Sequence, residues 1–506
     1  MARLGVVGLM AFVAVLASGL VRGQPLPPSS DNTAERPSKF SLKSATLYPR
    51  FDPRRHDYVV RCRNGPLRIE VETGRHIRVG VASSRPRSGD FRAAVRLMPG
   101  EDLEVDALSG SGLETYNLRC LPVGFPAWAY QRLGPVEPGL FTVTFPSTST
   151  RRRGWVVVFD HLGTPRWWYS PSISALGAQI LRDGTITWSR SFGDGYGVDP
   201  RMAHEVRSLT GDLVGTVRTQ GSITDSHELE RLPGGNTLVT TFVPRQDVDL
   251  RGFGNKKWHL PRRGSAVLPE VQEIDPQGRL VWRWNAHRRI GIDETPQRWR
   301  DNVRSNPHPG PGGIPTYDPL HINSIDPWGS AQLVVSMRHA DAVYGIDRES
   351  GEVAWKLGGT PTERSLRVIG DPHADLLFGG QHDARISRDG TLSVFDNGKD
   401  RPRPPRAVWY ELDLERRTAT FRRQLSDPMT KTSHCCGSLR PMNGGWLVDW
   451  GRNPLVTGFD RKGRIAFRLE LPLSSYRAVP VPRGAVTVAE LEQAMEEMEP
   501  RAPPDR

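Results

Sequence analysis

The chain has 506 residues, of which 25% are charged and 37% hydrophobic, so its composition is that of a globular protein of about two to four domains. The excess of 68 Lys and Arg over 56 Asp and Glu gives a net charge of +12, which indicates either a merely basic surface or an anionic partner. The absence of a basic helix, zinc-finger spacing or aromatic RNA-binding motif argues against a nucleic acid, whereas a small anionic substrate fits this charge as well.

The N-terminus resembles an export signal. Arg3 is followed by an uncharged apolar run over residues 4–20, which predicts a secretory signal peptide (1–23) cleaved near Gly19 or Gly23. The run is also long enough for an uncleaved membrane anchor, which remains the alternative. No second such run follows, so the body is predicted to be soluble and exported: periplasmic, secreted or at the cell surface.

Residues 24–40 are polar and Pro-rich, which predicts a linker. Residues 41–123 contain "ATLYPRFDPRRHDYVVRC" and "ETYNLRC" and resemble the cadherin-like β-sandwich modules of bacterial surface proteins. Such a module is expected to support or dimerise the rest of the protein. Cys62 and Cys120 each end a strand-like run, so a disulfide between them is predicted, in agreement with export.

The remaining cysteines, Cys435 and Cys436, are adjacent. Neighbours this close pair with each other only in a strained ring, so no partner is assigned to either. The chain contains no CxxC motif, which makes a thiolate zinc site an unfavourable interpretation.

Residues 124–475 contain a repeat that predicts the fold. One hairpin type, "QEIDPQGRLVWRW" (272–284), recurs over 157–169, 205–217, 344–357, 410–423 and 457–469. An aromatic follows the turn glycine by four residues, or holds the matching place, in five of these six hairpins: Trp167, Trp282, Trp355, Phe421 and Phe467. A second type, such as "ARISRDGTLSVFD", alternates with the first.

Two hairpins make one four-stranded sheet, and about six such sheets fit residues 140–475. The sequence therefore predicts an all-β fold: a six-bladed β-propeller preceded by a small β-sandwich domain. A long β-sandwich or two barrels is the alternative, which the regular repeat disfavours. The abundance of Gly (51) and Pro (43) suits many short strands joined by turns.

The tail, residues 476–506, contains "TVAELEQAMEEMEP", which predicts a short helix. Thr487 and Glu490 suit a capping box, and Val488, Leu491 and Met495 would form one face. A packing role is the favoured interpretation.

Three histidines share one position in the second hairpin type. His227, His321 and His382 each precede the turn glycine by eight residues, although only 13 residues of the chain are histidine. The first strand of each blade lines the channel of a propeller, so these side chains are expected to converge at one mouth. Leu176 holds the equivalent place in another blade, and His434 precedes its glycine by ten and is out of register.

Hairpin pairing adds further groups to this mouth. The start of a first strand neighbours the end of the second, which places Arg338 beside His321 and Asn397 near His382. His339 should face away from Arg338, because side chains alternate along a strand. Asp383 either orients His382 or caps a strand.

Converging histidines have three interpretations: polar caps of a water-filled channel, a His₃ zinc site, or an anion site. Arg338 argues against the metal, because a fixed cation repels Zn²⁺, so no metal or cofactor is expected. A ring of His and Arg donors suits a tetrahedral oxyanion such as sulfate or phosphate.

The stretch "HINSIDPWGSAQLVVSMRHADAVYGIDRESGEVAWKLGG", followed by "GGQHDARISRDGTLSVFDNG", resembles the arylsulfotransferase family over roughly residues 150–470. The resemblance implies a six-bladed propeller that moves a sulfuryl group from a phenolic sulfate ester to another phenol. It implies that His382 becomes transiently sulfated, with His227, His321 and Arg338 binding the sulfuryl oxygens.

Asn323, Asn397 and His434 are the expected further substrate contacts, and the expected scheme is ping-pong through a sulfohistidine. The loops 243–269 and 285–319 do not align, so they leave acceptor specificity open. A non-catalytic propeller that binds sulfated glycans or a surface partner is the alternative function, since it would use the same basic channel.

Overall fold

The computed structural model describes residues 40–44, 46–62, 65–98, 100–146, 154–192, 199–254 and 259–498. Within these ranges the protein is all-β, as predicted, and α-helix is confined to α1 (Gln297–Ser305) and α2 (Val488–Glu497). Neither helix of the described residues has the length and hydrophobicity to cross a bilayer. The predicted signal peptide, and the predicted linker up to residue 39, lie outside the described residues.

The N-terminal unit consists of two sheets over one hydrophobic core. Its strands are β1 (Phe40–Lys43), β2 (Leu47–Tyr48), β3 (Asp57–Arg61), β4 (Leu67–Thr73), β5 (Arg78–Val81), β6 (Phe91–Val95), β7 (Asp102–Ser109) and β8 (Gly112–Leu121). The sheet orders are β1–β4–β6 and β2–β3–β8–β7–β5. Alternate apolar residues such as Leu67, Ile69 and Val71 of β4 point into the core, as the period of a strand requires. A disulfide joins Cys62 to Cys120, with their Cα atoms 5.6 Å apart.

The body is built of antiparallel sheets that follow one another along the chain, and the described residues form six of them. A short strand, β9 (Ala129–Arg132), precedes them and pairs with the outer strand of the last sheet. The first three sheets contain β10 (Leu140–Phe145), β11 (Trp155–Asp160) and β12 (Pro165–Tyr169); β13 (Ser174–Ile180), β14 (Ile186–Ser191), β15 (His204–Arg207) and β16 (Leu213–Val217); and β17 (Thr224–Arg231), β18 (Thr237–Val248), β19 (Gly264–Ile274) and β20 (Leu280–Asn285), with β21 (His308–Pro309) and β22 (Pro315–Tyr317) added beside β19.

The last three sheets have the same plan. Their strands are β23 (Ile322–Trp328), β24 (Gln332–Met337), β25 (Ala342–Asp347) and β26 (Val353–Gly358); β28 (His382–Ile386), β29 (Thr391–Asp396), β30 (Arg406–Asp413) and β31 (Thr418–Leu425), with β27 (Arg367–Ile369) beside β31; and β32 (Ser438–Met442), β33 (Gly445–Asp449), β34 (Leu455–Phe459) and β35 (Ile465–Glu470). Single 3₁₀ turns lie at Arg251–Phe253, Ile292–Glu294, Pro311–Gly313, Arg338–Ala340 and Ala374–Leu376.

The C-terminal segment completes the first sheet. Strand β36 (Ala478–Pro480) pairs with β10, so the tail predicted from residue 476 contributes a strand that no repeat motif marks. Each of the six sheets has one edge strand, called here its first strand, that contacts the first strands of the two neighbouring sheets. In the described part of the chain these contacts run in the order β36, β13, β17, β23, β28 and β32, and β32 contacts β36 again. These six strands therefore surround one central axis.

Aromatic residues of the first hairpin type make contacts within and between the sheets. The Trp355 ring covers Gly345 on the neighbouring strand, where a Cβ would overlap the indole. The Trp282 indole N–H donates to the Arg348 carbonyl of the next sheet (3.1 Å), and Trp167 donates likewise to Leu209 (2.8 Å). The repeat thus encodes contacts between neighbouring sheets as well as the hairpins themselves.

Helix α2 begins with the predicted capping box, since the Glu490 amide donates to Thr487 Oγ1 (3.2 Å) and the Thr487 amide donates to the Glu490 carboxylate (2.7 Å). Leu491, Ala494 and Met495 are buried against the first sheet, while Val488 is only half-buried. The helix thus packs on the body, as predicted.

Candidate active site at the centre of the six sheets

The structure brings the three predicted histidines to the central axis. His382 is the first residue of β28, His321 immediately precedes β23, and His227 lies within β17. The His227 and His321 ring centroids are 4.8 Å apart. Their turn glycines, Gly235, Gly329 and Gly390, all have positive φ, which explains why a glycine fixes the register of each hairpin.

The backbone departs from regular strand geometry at these histidines. His321 has φ 57° and Asp383 has φ 52°, a region that residues with a side chain rarely adopt. The strand pairing shifts register at the same places in β17, β23 and β28. Such bulges change the direction of side chains, so the irregular backbone belongs to the construction of the site.

His382 is buried, and its ring is fixed from both sides. Nδ1–H donates to the Gly380 carbonyl (2.9 Å) and to Asn397 Oδ1 (2.8 Å), while Nε2 accepts from the Cys436 amide (3.1 Å). Burial, and then the Arg338 guanidinium, hold the pKa of His382 well below its usual range. At neutral pH the ring is therefore uncharged, with its proton on Nδ1 and its lone pair on Nε2.

Asn397 lies beside His382, as the hairpin pairing predicts. Its Nδ2 donates to Ser433 Oγ (3.0 Å) and to the Cys436 carbonyl (3.0 Å). These two acceptors fix the orientation of the amide, which leaves Oδ1 to accept from His382. The contacts of residues 433–436 were not predicted, because no local pattern relates that segment to β28.

Two carboxylates orient the other histidines. The His227 ring Nδ1 donates to Asp225 (2.8 Å), and the His321 ring Nδ1 donates to Asp318 (2.5 Å). The pKa of His321 is well below its usual range because of burial and then the neighbouring His227 and Arg338. In the sequence these pairs are the short motifs "DSH" and "DPLH", a local signal that would have identified both carboxylates.

Arg338 lies beside His321, as predicted, and its amide donates to the His321 carbonyl (2.9 Å). Its guanidinium donates to the His434 carbonyl (2.6 Å) and lies 4.6 Å from the Trp299 ring. It also donates to His339 Nε2 (2.8 Å), so the prediction that His339 faces away is wrong. The reason is that Arg338–Ala340 forms a 3₁₀ turn instead of a strand, and side chains do not alternate there.

The structure gives different surroundings to two other residues that were expected to contact the substrate, His434 and Asn323. The His434 side chain is exposed, and it is the carbonyl of His434 that accepts from Arg338. Asn323 is fully buried, and its Nδ2 donates to the Gln381 carbonyl (2.8 Å), so it braces the strand that carries His382.

Asp383 does not contact His382. Its carboxylate accepts from Arg385 (2.9 Å), Arg440 (2.8 Å) and the Leu439 amide (3.0 Å). Of the two alternatives for Asp383, orientation of His382 is therefore excluded, because successive side chains diverge and the bulge turns Asp383 toward another sheet. Asp383 belongs to a buried ion network that includes Glu228, Arg385, Arg440 and Arg477, with Glu230 and Asp326 also beside Arg385.

The loop 285–319 forms a wall of the site, a role that the sequence did not predict. Its helix α1 carries Trp299, which is buried against the His339 ring at 4.6 Å between centroids. Lys399 Nζ lies 4.9 Å from the same indole. The loop 243–269 extends β18 and β19 beyond the sheet and pairs with β22.

One group in the described residues has the composition of a metal site: Asp318, His321 and His339, whose ligand atoms lie within 4.8 Å of one another. His339 uses Nδ1 to donate to the Asp318 carbonyl (2.7 Å) and Nε2 to accept from Arg338. A metal there would have to displace the guanidinium, so the donor set fits a cation poorly. The arrangement favours an anion beside a neutral nucleophilic nitrogen.

A sequence model of the family described as "Arylsulfotransferase (ASST)" matches residues 178–471, more than half of the chain. No curated protein matches the chain. Similar solved structures include the Cps50 (Swd1) beta-propeller domain of Myceliophteria thermophila (12% identity, 60% of this chain and 89% of that chain, TM-score 0.33) and apo AztD from Citrobacter koseri (9%, 70% and 98%, 0.34). A putative 6-phosphogluconolactonase from Bacteroides uniformis is also similar (12%, 68% and 100%, 0.37).

Proposed function

The chain belongs to the arylsulfotransferase family, and on that premise we propose that it transfers a sulfuryl group from a phenolic sulfate ester to a phenol through a sulfohistidine at His382. Family membership supports a sulfotransferase that acts on small aryl substrates. The observation that carries the finer proposal is the hydrogen bonding of His382, whose Nδ1 is held by Asn397 and Gly380.

In the first half-reaction the Nε2 lone pair attacks sulfur, an N–S bond forms, the ester S–O bond breaks, and the phenolate departs. The ring becomes positively charged as it gives up its lone pair. The two carbonyl oxygens that accept from Nδ1–H stabilise that charge. The phenol formed has a pKa of about 10, so its phenolate leaves readily once the site stabilises the transition state.

The transferred group carries its negative charge on three oxygens, and by analogy with phosphoryl transfer its transition state is loose. Arg338, His227 and His321 are proposed to bind these oxygens. The lowered pKa values of His321 and His382 support this role, since nearby positive charge is one cause of both shifts and also favours a bound anion.

In the second half-reaction an acceptor phenol, having lost its proton to solvent, attacks the same sulfur. The N–S bond breaks and His382 regains its lone pair, so the scheme is ping-pong. No metal or other cofactor enters either step. We propose that Asn323 and Asn397 act by bracing β28 and His382, and that His434 borders the entry to the site.

We further propose that the six sheets are the blades of a β-propeller, preceded by a small β-sandwich. The closed series of contacts among the first strands supports the propeller, and the two sheets on one core support the sandwich. Export is part of the proposal, with which the Cys62–Cys120 disulfide is compatible.

The test is turnover of 4-nitrophenyl or 4-methylumbelliferyl sulfate with and without added phenol, after prolonged chelation. Ping-pong transfer predicts parallel double-reciprocal lines and an acid-labile mass increase of one SO₃ group when the acceptor is omitted. Activity lost together with stoichiometric zinc would indicate a metal site instead. Tight binding of sulfated glycans without turnover would favour the non-catalytic alternative.

A further inference from the structure

The segment 433–436 contacts three groups of the proposed site through its backbone. The Cys436 amide donates to His382 Nε2 (3.1 Å), and the Cys436 carbonyl accepts from Asn397 (3.0 Å). The His434 carbonyl accepts from Arg338 (2.6 Å). Because these contacts use main-chain atoms, the conformation of the segment decides whether they form.

A covalent ring constrains that conformation. A disulfide joins Cys435 to Cys436, which closes a small ring around their peptide bond. Cys436 has φ 69°, a left-handed conformation that a residue with a side chain rarely adopts. Ser433 Oγ also donates to the Cys435 carbonyl (3.1 Å) and so holds the segment at its other end.

The Cys436 amide lies where sulfur must approach. The Nε2 lone pair points along the direction of its hydrogen-bond donor, and the N–S bond forms along the same direction. The amide must therefore move slightly aside, and once the sulfuryl group is on Nε2 its oxygens come within reach of that N–H. A backbone donor next to a developing oxyanion is a recognised stabilising element.

We infer, building on the proposed function, that the Cys435–Cys436 disulfide is a redox-dependent positioning element of the active site. In the oxidised form it holds the backbone of residues 433–436 against His382, Asn397 and Arg338. Reduction by a dithiol breaks the S–S bond, with two electrons and two protons converting it to two thiols while the dithiol becomes a disulfide. The released segment then leaves its three partners.

Reduction is expected to lower kcat about tenfold or more, because the orientation of Asn397 and Arg338 relaxes while the binding groups of the other blades remain. It also moves the acidic limb of the pH–rate profile to higher pH. The Cys436 N–H donates to the lone pair of neutral His382, so its loss allows the His382 pKa to rise. A merely structural disulfide would not move this limb.

The experiment compares three proteins: the wild type, the Cys435→Ser/Cys436→Ser double variant, and a matched Cys62→Ser/Cys120→Ser double variant. Each is assayed for kcat, KM and pH profile before and after dithiothreitol and after reoxidation. The first variant should resemble the reduced wild type and respond no further to reductant. The matched variant should have the wild-type kcat before reduction and should lose it on reduction to the same extent as the wild type. If the matched variant does not fold, the failure of the first variant to respond to reductant excludes the Cys62–Cys120 disulfide as the cause.

Amide hydrogen exchange, read by peptide mass spectrometry, gives a second measurement independent of turnover. The Cys436 amide, which donates to His382, should be protected in the oxidised protein and should exchange faster after reduction, while the hairpin turn at residues 460–463 exchanges equally in both. Free thiols at both cysteines of the native protein, or a variant with wild-type kcat, pH limb and protection, would overturn the inference. Absence of turnover in the oxidised wild type would instead remove the proposed function, and the exchange result would then decide the inference.

Discussion

Two groups of side chains near the central axis contain residues that are adjacent in sequence, but the two groups differ in how neighbouring charges affect their ionisation. The histidine cluster consists of His227, His321, His382 and Arg338. The ion network is built around Glu228, Asp383, Arg385, Arg440 and Arg477, with Glu230 and Asp326 beside Arg385. His382 and Asp383 are consecutive residues, yet one belongs to each group. A single residue step in a bulged strand therefore separates the proposed reactive cluster from a structural ion network.

At the centre of the ion network, arginine neighbours keep Glu228 and Asp383 charged. Burial by itself would raise the pKa of Glu228, but Arg385 and Arg477 outweigh it, so the pKa is lowered and the carboxylate stays ionised. The pKa of Asp383 is also lowered against its burial, by Arg440 and Arg385. Charges paired in this way leave little attraction for a further ion.

In the histidine cluster, neighbours oppose each other's charge. Burial first, and then Arg338 and the other rings, lower the pKa values of His321 and His382. The part of these shifts that Arg338 causes comes from a positive charge that also attracts an anion. The comparison fits the proposal that catalysis belongs to the cluster, and the salt bridges of the network join strands β17, β28 and β32.

The largest expected effect is that of His382→Asn. If His382 is the nucleophile, the variant loses turnover by on the order of 10⁴-fold or more and forms no sulfuryl adduct, as when an essential nucleophile is removed. Peptide mapping after incubation with an aryl sulfate alone measures the adduct. A sulfuryl group found on His227, His321 or His434 would move the nucleophile while leaving the reaction class intact.

Arg385→Met tests the ion network. Arg385 is buried and contacts Glu228 and Asp383, so its loss leaves uncompensated charges and should lower the free energy of unfolding by about 3–5 kcal/mol. The kcat of the folded fraction should change little. Chemical denaturation measures the stability, and Arg279→Met, which removes an exposed ion pair with Asp275, is the control that should change neither. Loss of kcat without loss of stability would place the network in the catalytic machinery.

Arg338→Ala should reduce kcat by on the order of 10²–10³-fold, the usual result of removing one donor to a developing oxyanion. Arg338→Lys should keep part of the activity, because an ammonium supplies the charge without the bidentate geometry of the guanidinium. Steady-state kinetics with thermal melting as a folding control measures both. An alanine variant with normal turnover would show that Arg338 does not touch the transferred group.

The sequence predicted those features of the site that depend on residues close together in the chain. The histidines, Arg338 and Asn397 lie at fixed distances from a turn glycine, and hairpin pairing converts those distances into positions in space. The same rule failed at His339, where the strand ends in a 3₁₀ turn. The rule did not decide the role of Asp383, whose positive φ directs the carboxylate to another sheet.

What the sequence did not reveal depends on contacts between distant segments. Trp299 reaches the site from a helix inserted between the third and fourth sheets, and residues 433–436 reach it from the loop before the sixth. Strand β36 closes the first sheet with residues more than 300 positions from its partner β10. No periodicity relates such segments, so only the folded chain shows that they meet.

The smallest expected effect is a displacement of the pH profile, and it separates the two groups most directly. Attack requires the lone pair of neutral His382, so kcat/KM should remain level below pH 6.5, the ordinary pKa of histidine, and should fall only as the pH approaches the lowered His382 pKa. Removing the cation in Arg338→Ala should raise that pKa and move the acidic limb to higher pH. Arg385→Met should leave the limb in place, since the shift of His382 arises from burial, Arg338, His227 and Arg477. The residual turnover of each variant, followed from pH 4.5 to 8 at constant ionic strength, measures the limb. A limb that stays fixed in Arg338→Ala, or moves equally in Arg385→Met, would contradict the division of the axis into a reactive cluster and a structural network.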